Sequence, residues 1–324
     1  MKRYHFFSIL LIIAVTAAAT QNPYTATYVS MIKNKDISAV QQGNQLYQTI
    51  AAKAKDYEKP AQDAHIHTVW KATPGYNGVT VDIDESYKRM KKSGTFDEKK
   101  LVYKQIKPNI HLADLPPAPI YRGHPDKEMV SFLINVAWGN EFVPVMLGVL
   151  EENKVKATFF IEGRWAKENP ELVKKIKDSG HEIGNHSYSH PDMARITTDQ
   201  IRRQIGSTNE VLKEITGETP VWFAPPSGSF RQDVITIADQ YKMDTVLWSV
   251  DTIDWQKPEP SVLVERVLKK VHNGAMILMH PTDSTSRSLE TLIQSIKQKG
   301  YSFGSVSMLL DEKRLPSSQQ ENFK

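Results

Sequence analysis

From Val130 onward the chain alternates between two hydrophobic periods, and no other feature restricts its fold as much. Short apolar runs rich in β-branched and aromatic residues occur at 132–137, 155–161, 182–185, 221–224, 245–250, 275–279 and 302–306. Between them, at 143–152, 170–179, 197–215, 231–240, 260–272 and 286–299, apolar residues recur at helical spacing. Strands that take turns with helices pair in parallel, because each crossover helix carries the chain back to the same end of the sheet. Seven strands and six helices in about 180 residues predict an α/β fold, a short and distorted (β/α)7 barrel. A doubly wound open sheet is the alternative. No Gly-rich phosphate fingerprint follows any of these strands, which weakens a nucleotide-binding version.

The chain before the barrel divides by composition. Met1-Lys2-Arg3 followed by an apolar run over 6–19 and the small residues Ala17-Ala18-Ala19 describes a secretory signal. The run is short of the roughly 20 apolar residues of a spanning helix, and an uncleaved anchor is the other reading. Either way the body is expected outside the cytoplasm, secreted or anchored to the outer face of the membrane, with residues 1–23 outside the fold. Residues 38–57 have helical spacing. Two short apolar runs, 66–70 and 79–83, flank a Pro74-Gly75-Tyr76-Asn77-Gly78 turn and predict a hairpin. Charged helices are expected at 84–93 and 96–105. Together these make a small α+β domain over 24–107. Pro108, Pro116, Pro117, Pro119 and Pro125 then predict a linker over 108–129, followed by the barrel domain at 130–314 and a polar tail at 315–324.

Charge and cysteine content exclude some chemistry. The net charge of +4 comes from 41 basic and 37 acidic residues without a long basic run, too mild a balance to argue for a nucleic-acid partner, and none is expected. With no cysteine, disulfides, thiolate metal sites and cysteine nucleophiles are excluded. Any metal must be held by nitrogen and oxygen. His186 and His190 stand four residues apart after the third strand, a spacing that puts two imidazoles within reach of one divalent ion. Such a pair normally needs a third ligand, often a carboxylate. A loop satisfied by two histidines is the plainer alternative. His65 and His67 read as solvated or packed.

In a βα barrel the reactive groups gather at the C-terminal ends of the strands. Those ends carry Asn135-Val136-Ala137-Trp138-Gly139-Asn140-Glu141, then His186 and His190. They continue with Ala224-Pro225-Pro226-Ser227-Gly228, Asp251-Thr252-Ile253-Asp254-Trp255, and Leu278-Met279-His280-Pro281-Thr282-Asp283. Five polar or special-backbone clusters on one rim are hard to attribute to packing.

Over about 130–312 the chain resembles the NodB-homology, polysaccharide-deacetylase domain of carbohydrate esterase family 4. The resemblance rests on Val155-Lys156-Ala157-Thr158-Phe159-Phe160, on Gly180 through His186, on His186-Ser187-Tyr188-Ser189-His190, and on Asp254-Trp255 and Leu278-Met279-His280. Behind a signal segment it looks most like the sporulation-associated branch of endospore-forming bacteria, an inference from family analogy. The resemblance implies hydrolysis of N-acetyl groups on a cell-envelope amino-sugar polymer of the peptidoglycan type. It implies a zinc- or cobalt-like ion at His186 and His190, His280 as the acid, and Asp254 as the group that orients it. It also implies an acetyl pocket shaped by Trp255 and Leu278, and an oxyanion served by the backbone N–H of Ser227.

The departures from that pattern are equally specific. The family's first motif carries two aspartates before a glycine, the base and a metal ligand. Here Ala137 and Trp138 precede Gly139, and neither can take a proton or bind a hard cation. The arginine that holds the base is replaced by Ala224, consistent with loss of a whole unit, since an arginine left buried without its partner is costly. Loss of a general base alone typically removes ~10²–10⁴-fold in rate. Glu141 and Asp283 are the carboxylates near enough in sequence to substitute, although Glu141 also reads as a cap for the next helix. Two functions therefore stand against each other. One is a metal-dependent de-N-acetylase. The other is a catalytically silent glycan-binding or envelope-assembly protein, with Trp138 among its sugar-facing aromatics.

Overall fold

The computed structural model describes residues 22–314 together with Thr16. Of the proposed signal or anchor segment, 1–23, only Thr16, Asn22 and Pro23 are described, the last two as the N-cap and first residue of a helix, and the polar tail lies outside the described residues. Among the described residues, no helix is long and apolar enough to cross a membrane. Two compact units are present, one built from the residues up to Lys59 with Val79–Lys104, the other from Pro60–Gly78 with the chain from Gln105 onward.

The smaller unit is organised by α1 (Pro23–Ala54) and α2 (Ile83–Met90). Leu46, Ile50 and Ala54 of α1 close on Val81, Met90 and Leu101 to form its core. The second charged helix expected here is absent. Only a 3-10 turn at Glu98–Lys100 forms, followed by a strand at Tyr103–Ile106. Asp97 caps that turn by accepting from the Lys99 amide. Two consecutive β-favouring residues, Val102 and Tyr103, then take the chain out of helix.

The hairpin differs from expectation too. β1 (His65–His67) pairs antiparallel with β2 (Lys71–Thr73), so the turn is at 68–70. The Pro74–Gly78 stretch, expected as the turn, leads instead into β3 (Gly78–Val81). β4 is the Tyr103–Ile106 strand. The tight turn works because His67 Nδ1 accepts from the Val69 and Trp70 amides, at 3.0 and 3.1 Å. The hairpin residues belong to the barrel unit, not to the small domain.

The barrel unit contains the predicted alternation. In chain order it runs β5 (Met129–Val136), α3 (Val143–Glu152), β6 (Thr158–Ile161), α4 (Gly163–Glu168), α5 (Pro170–Asp178), β7 (Glu182–Asn185) and α6 (Thr198–Thr216). It continues with β8 (Trp222–Phe223), α7 (Gln232–Gln240), β9 (Asp244–Thr245), β10 (Val250–Asp251), α8 (Pro260–Lys270), β11 (Met276–Met279), α9 (Asp283–Gln298), β12 (Ser302–Phe303) and α10 (Val306–Leu310). The sheet order is β10-β11-β5-β6-β7-β8-β9, with β12 paired to the start of β5. Each of these pairs is parallel, as short helical crossovers require.

Alternation along β5 separates the two packed layers. Phe132, Ile134 and Val136 face the helices, in a core shared with Met146 and Leu150 of α3 and Leu289, Leu292 and Ile296 of α9. Leu133 faces the barrel interior with Phe160, Trp222, Ala224, Val246 and Met276. Phe132, Phe159, Phe160 and Phe223 are fully buried, each worth on the order of 2 kcal/mol of apolar transfer. Helix ends follow their residues. Thr197 and Gln200 form a capping box that starts α6, and Gly217 at φ 76° ends it.

The single strand expected at 245–250 is broken into β9 and β10, and the break is where the curled sheet opens. Ile120 fills it, its amide donating to the Thr245 carbonyl at 2.9 Å and its carbonyl accepting from the Leu247 amide at 2.8 Å. The Pro-rich stretch is thus packed structure and not a free linker. Ile120 is 1 % exposed and also bridges to Lys71 of the hairpin.

Candidate functional site

At the C-terminal rim the residues singled out in sequence stand at five strand ends, those of β5, β7, β8, β10 and β11. His186 follows β7 directly and is buried. Its Nδ1 donates to the Ala224 carbonyl at 2.7 Å, which fixes the tautomer and leaves Nε2 as a lone pair. Burial first, then the neighbouring His190, holds its pKa down to about 3. The His190 ring lies edge-on to it with centroids 5.1 Å apart, and burial lowers its pKa as well. The neighbouring His280 lowers both values further, as a lesser cause than burial.

The His186–His190 loop is held by neighbours on every side. Ser187 and His190 take left-handed backbone angles, φ 63° and 56°, a conformation that non-glycine residues adopt only when the surroundings enforce it. Gln204 of α6 accepts from the Tyr188 and Ser189 amides at 2.8 and 2.9 Å. The Gly163 and Arg164 amides at the start of α4 donate to the Ser187 and Tyr188 carbonyls. Asn185 accepts from the Ser187 amide and donates to Asn209 and to the Ile205 carbonyl. Nothing in the local sequence around the two histidines announces Gln204.

Across the rim, Asp254 is wholly buried and saturated with donors. Oδ1 accepts from His280 Nδ1 at 2.8 Å, while Oδ2 accepts from the His280 amide and from Thr285 Oγ1, both at 2.6 Å. Thr285 escaped the sequence reading, although its place three residues after the N-cap Thr282 marks it as part of the α9 first turn. Leu278 is buried in β11, level with Leu133. Trp255 is 56 % exposed beside Asp254. Ser227 is exposed, in a left-handed conformation at φ 53°.

Ala137 and Trp138 follow β5. The Trp138 indole lies flat against the His280 imidazole, centroids 5.3 Å apart and planes at 15°, while 43 % of the residue faces solvent. Gly139 lets the chain turn so closely under the next loop that a Cβ there would meet the Pro281 carbonyl oxygen at 2.0 Å. Asn140 is engaged with Trp165 Nε1 and Asn169 and is not free to act as a ligand.

The donor set does not fit the metal that the resemblance implies. His186 and His190 supply two neutral nitrogens, but among the described residues no group of three His, Asp or Glu side chains could hold an ion. Neither Glu141 nor Asp283 joins the pair. Asp283 occupies the first turn of α9, with its carboxylate 3.2 Å from Arg287, and Glu141 is exposed. Two imidazoles alone hold zinc poorly.

Comparison with known proteins places this geometry among relatives. A family profile described as polysaccharide deacetylase matches residues 122–246. The chain is similar to the uncharacterized protein YlxY of Bacillus subtilis (strain 168), 54% identical over 97% of this chain and 99% of that protein. It is also similar to the peptidoglycan-N-acetylmuramic acid deacetylase PdaA of the same organism, 34% identical over 61% of this chain and 78% of that one. Among solved structures it is similar to a carbohydrate esterase family 4 pseudoenzyme from Bacillus anthracis, 54% identical, covering 83% of this chain and 96% of that one at a TM-score of 0.80. A mutant of that pseudoenzyme with restored enzymatic activity matches at 52% identity, 83% and 99% coverage and a TM-score of 0.80.

Proposed function

The chain belongs to the polysaccharide deacetylase family, carbohydrate esterase family 4, and from that premise we propose that it binds an N-acetylated amino-sugar polymer of the cell envelope, of the peptidoglycan type, without hydrolysing it by the family's metal-dependent route. The observation that carries this reading is the exit of β5. Ala137 and Trp138 stand where the family places its base and its carboxylate ligand, and the Trp138 indole packs on His280. The rim keeps the parts that orient and recognise. Asp254 holds His280, Trp138 and Trp255 present aromatic faces suited to sugar rings, and the Ser227 backbone stands at the edge. The parts that would generate a nucleophile are replaced. The binding reading also accords with an extracytoplasmic location, since the glycan implied by PdaA is a wall polymer.

A second reading, residual turnover, is favoured by one observation, the intact Asp254–His280 pair beside a free His186 Nε2. One experiment separates the two. The protein is titrated with acetylated chitooligosaccharides and muropeptides by calorimetry while acetate release is followed with added zinc or cobalt. Saturable binding without release is expected. Acetate release abolished by His280→Ala would overturn the binding-only reading.

A further inference from the structure

The first turns of α1 present an aromatic stripe to solvent, far from the core that holds the helix. α1 runs from Pro23 to Ala54, and Leu46, Ile50 and Ala54 pack its far end into the small unit. Fifteen residues separate Met31 from Leu46, about 22 Å along a helix axis. Tyr24, Tyr28 and Met31 are 84, 65 and 66 % exposed, and their spacing of four and three residues puts them on one face. Two independent features of this stretch point to what the stripe meets. From residue 4 to residue 32 the sequence contains no Lys, Arg, Asp or Glu, so the apolar run 6–19 passes into the stripe without a charge. The hydroxyls of the first turns bond back to the helix: Thr27 Oγ1 donates to the Pro23 carbonyl at 2.7 Å and Ser30 Oγ to the Thr27 carbonyl at 2.8 Å. Hydroxyls satisfied in this way do not need water.

We propose that the segment before α1 stays on the mature chain and that the Tyr24, Tyr28 and Met31 stripe rests in the headgroup region of a lipid bilayer, seating α1 on the outer face of the membrane. Tyrosine suits that boundary, with an apolar ring and a hydroxyl that stays wet. The apolar run alone is short of the roughly 20 residues that cross a bilayer, but the uncharged stretch that includes the stripe is not. Lys2 and Arg3, at the other end of that stretch, are the charges expected on the cytoplasmic side. A groove on a partner protein could also cover three apolar side chains, but it would not call for an uncharged approach to them through residues 4–23. The inference is independent of the glycan-binding reading, which concerns the barrel rim.

The test uses the full-length chain in vesicles of phosphatidylethanolamine and phosphatidylglycerol. The wild type has no cysteine, so one introduced cysteine takes a nitroxide label at a chosen place. The positions are Tyr24→Cys, Tyr28→Cys and Met31→Cys on the stripe, Ala26→Cys and Ser30→Cys away from it, and Gln48→Cys near the packed end as the water reference. All six positions are exposed, so a label disturbs no core. Relaxation by oxygen, which concentrates in lipid, relative to a water-soluble nickel chelate should be several-fold higher at 24, 28 and 31 than at 26, 30 and 48. Wild-type protein recovered from cell membranes should retain Lys2 and Arg3 by mass spectrometry. Stripe labels that respond like the one at 48, equal values on the two faces of the helix, or a mature chain that begins after Ala19 would each overturn the inference.

Discussion

Replacing Asp254 offers a sharp test of how the rim is held together, because alanine and asparagine should fail in different ways. The carboxylate is inaccessible to solvent and receives three donors from two residues, His280 and Thr285. Asp254→Ala leaves all three without an acceptor in a buried place. Breaking a buried, hydrogen-bonded charge typically costs about 3–5 kcal/mol, and unpaired buried donors add to it at about 1–3 kcal/mol each. For a protein of this size that corresponds to a fall in melting temperature on the order of 10 °C. Asp254→Asn is milder, about 1–2 kcal/mol, because one amide oxygen can still accept from the His280 amide and the Thr285 hydroxyl. Its NH2 group then faces His280 Nδ1, which must become an acceptor. The imidazole proton therefore moves to Nε2, and the ring presents the wrong tautomer to the cleft. Thermal unfolding measures the first effect, and ring-nitrogen chemical shifts of His280 measure the second. If Asp254→Ala melts with the wild type, or if His280 keeps its proton on Nδ1 in Asp254→Asn, Asp254 does not orient this ring.

Three further outcomes follow from the same geometry. Trp138→Asp adds a carboxylate at the β5 exit and should tighten zinc binding at least about tenfold over wild type in a chelator-competition titration; equal affinities would mean that His186 and His190 do not face a common point. Gly139→Ala forces a Cβ to 2.0 Å from the Pro281 carbonyl at φ 80°, and should cost more than about 2 kcal/mol; an unchanged urea midpoint would contradict the close approach. Burial holds His124 and His181 down to about 4 in the fold, from an ordinary value of 6.5. Since the unfolded chain takes up these protons first, their contribution to stability is complete above about pH 6.5 and lost as pH falls toward 4, by roughly 1.4 kcal/mol per pH unit for each ring. A urea midpoint that stays flat from pH 7 to 5 would count against that burial.

Much of the barrel was legible because its strands are buried on both faces and read as continuous apolar runs. The runs around Phe132, Phe159 and Ile277 lie at the centre of the sheet, and the predicted helix 143–152 coincides with Val143–Glu152. Legibility failed where a partner distant in sequence decides the conformation. The run from Thr245 to Val250 reads as one strand, but the Leu247 amide and Thr245 carbonyl bond to Ile120, and the strand divides. Five prolines made 108–125 look like a spacer, although a chain without regular structure can still contribute one buried isoleucine and two backbone bonds. The same limit applies to the rim. His186, His190, Asp254 and His280 carry their chemistry in their side chains and could be picked out by type and place. The saturation of Asp254 by Thr285 depends on how the ends of neighbouring strands pack, which a single sequence does not display.

The opening between β9 and β10 has a consequence for dissecting this protein. A fragment trimmed to begin at residue 130 would lose Ile120, exposing a bare carbonyl and a bare amide beside the apolar interior at Val246. Such an unpaired margin invites a strand from a second molecule. Shortened versions should therefore self-associate, with the N-terminal stretch acting as the stopper that keeps each barrel to itself.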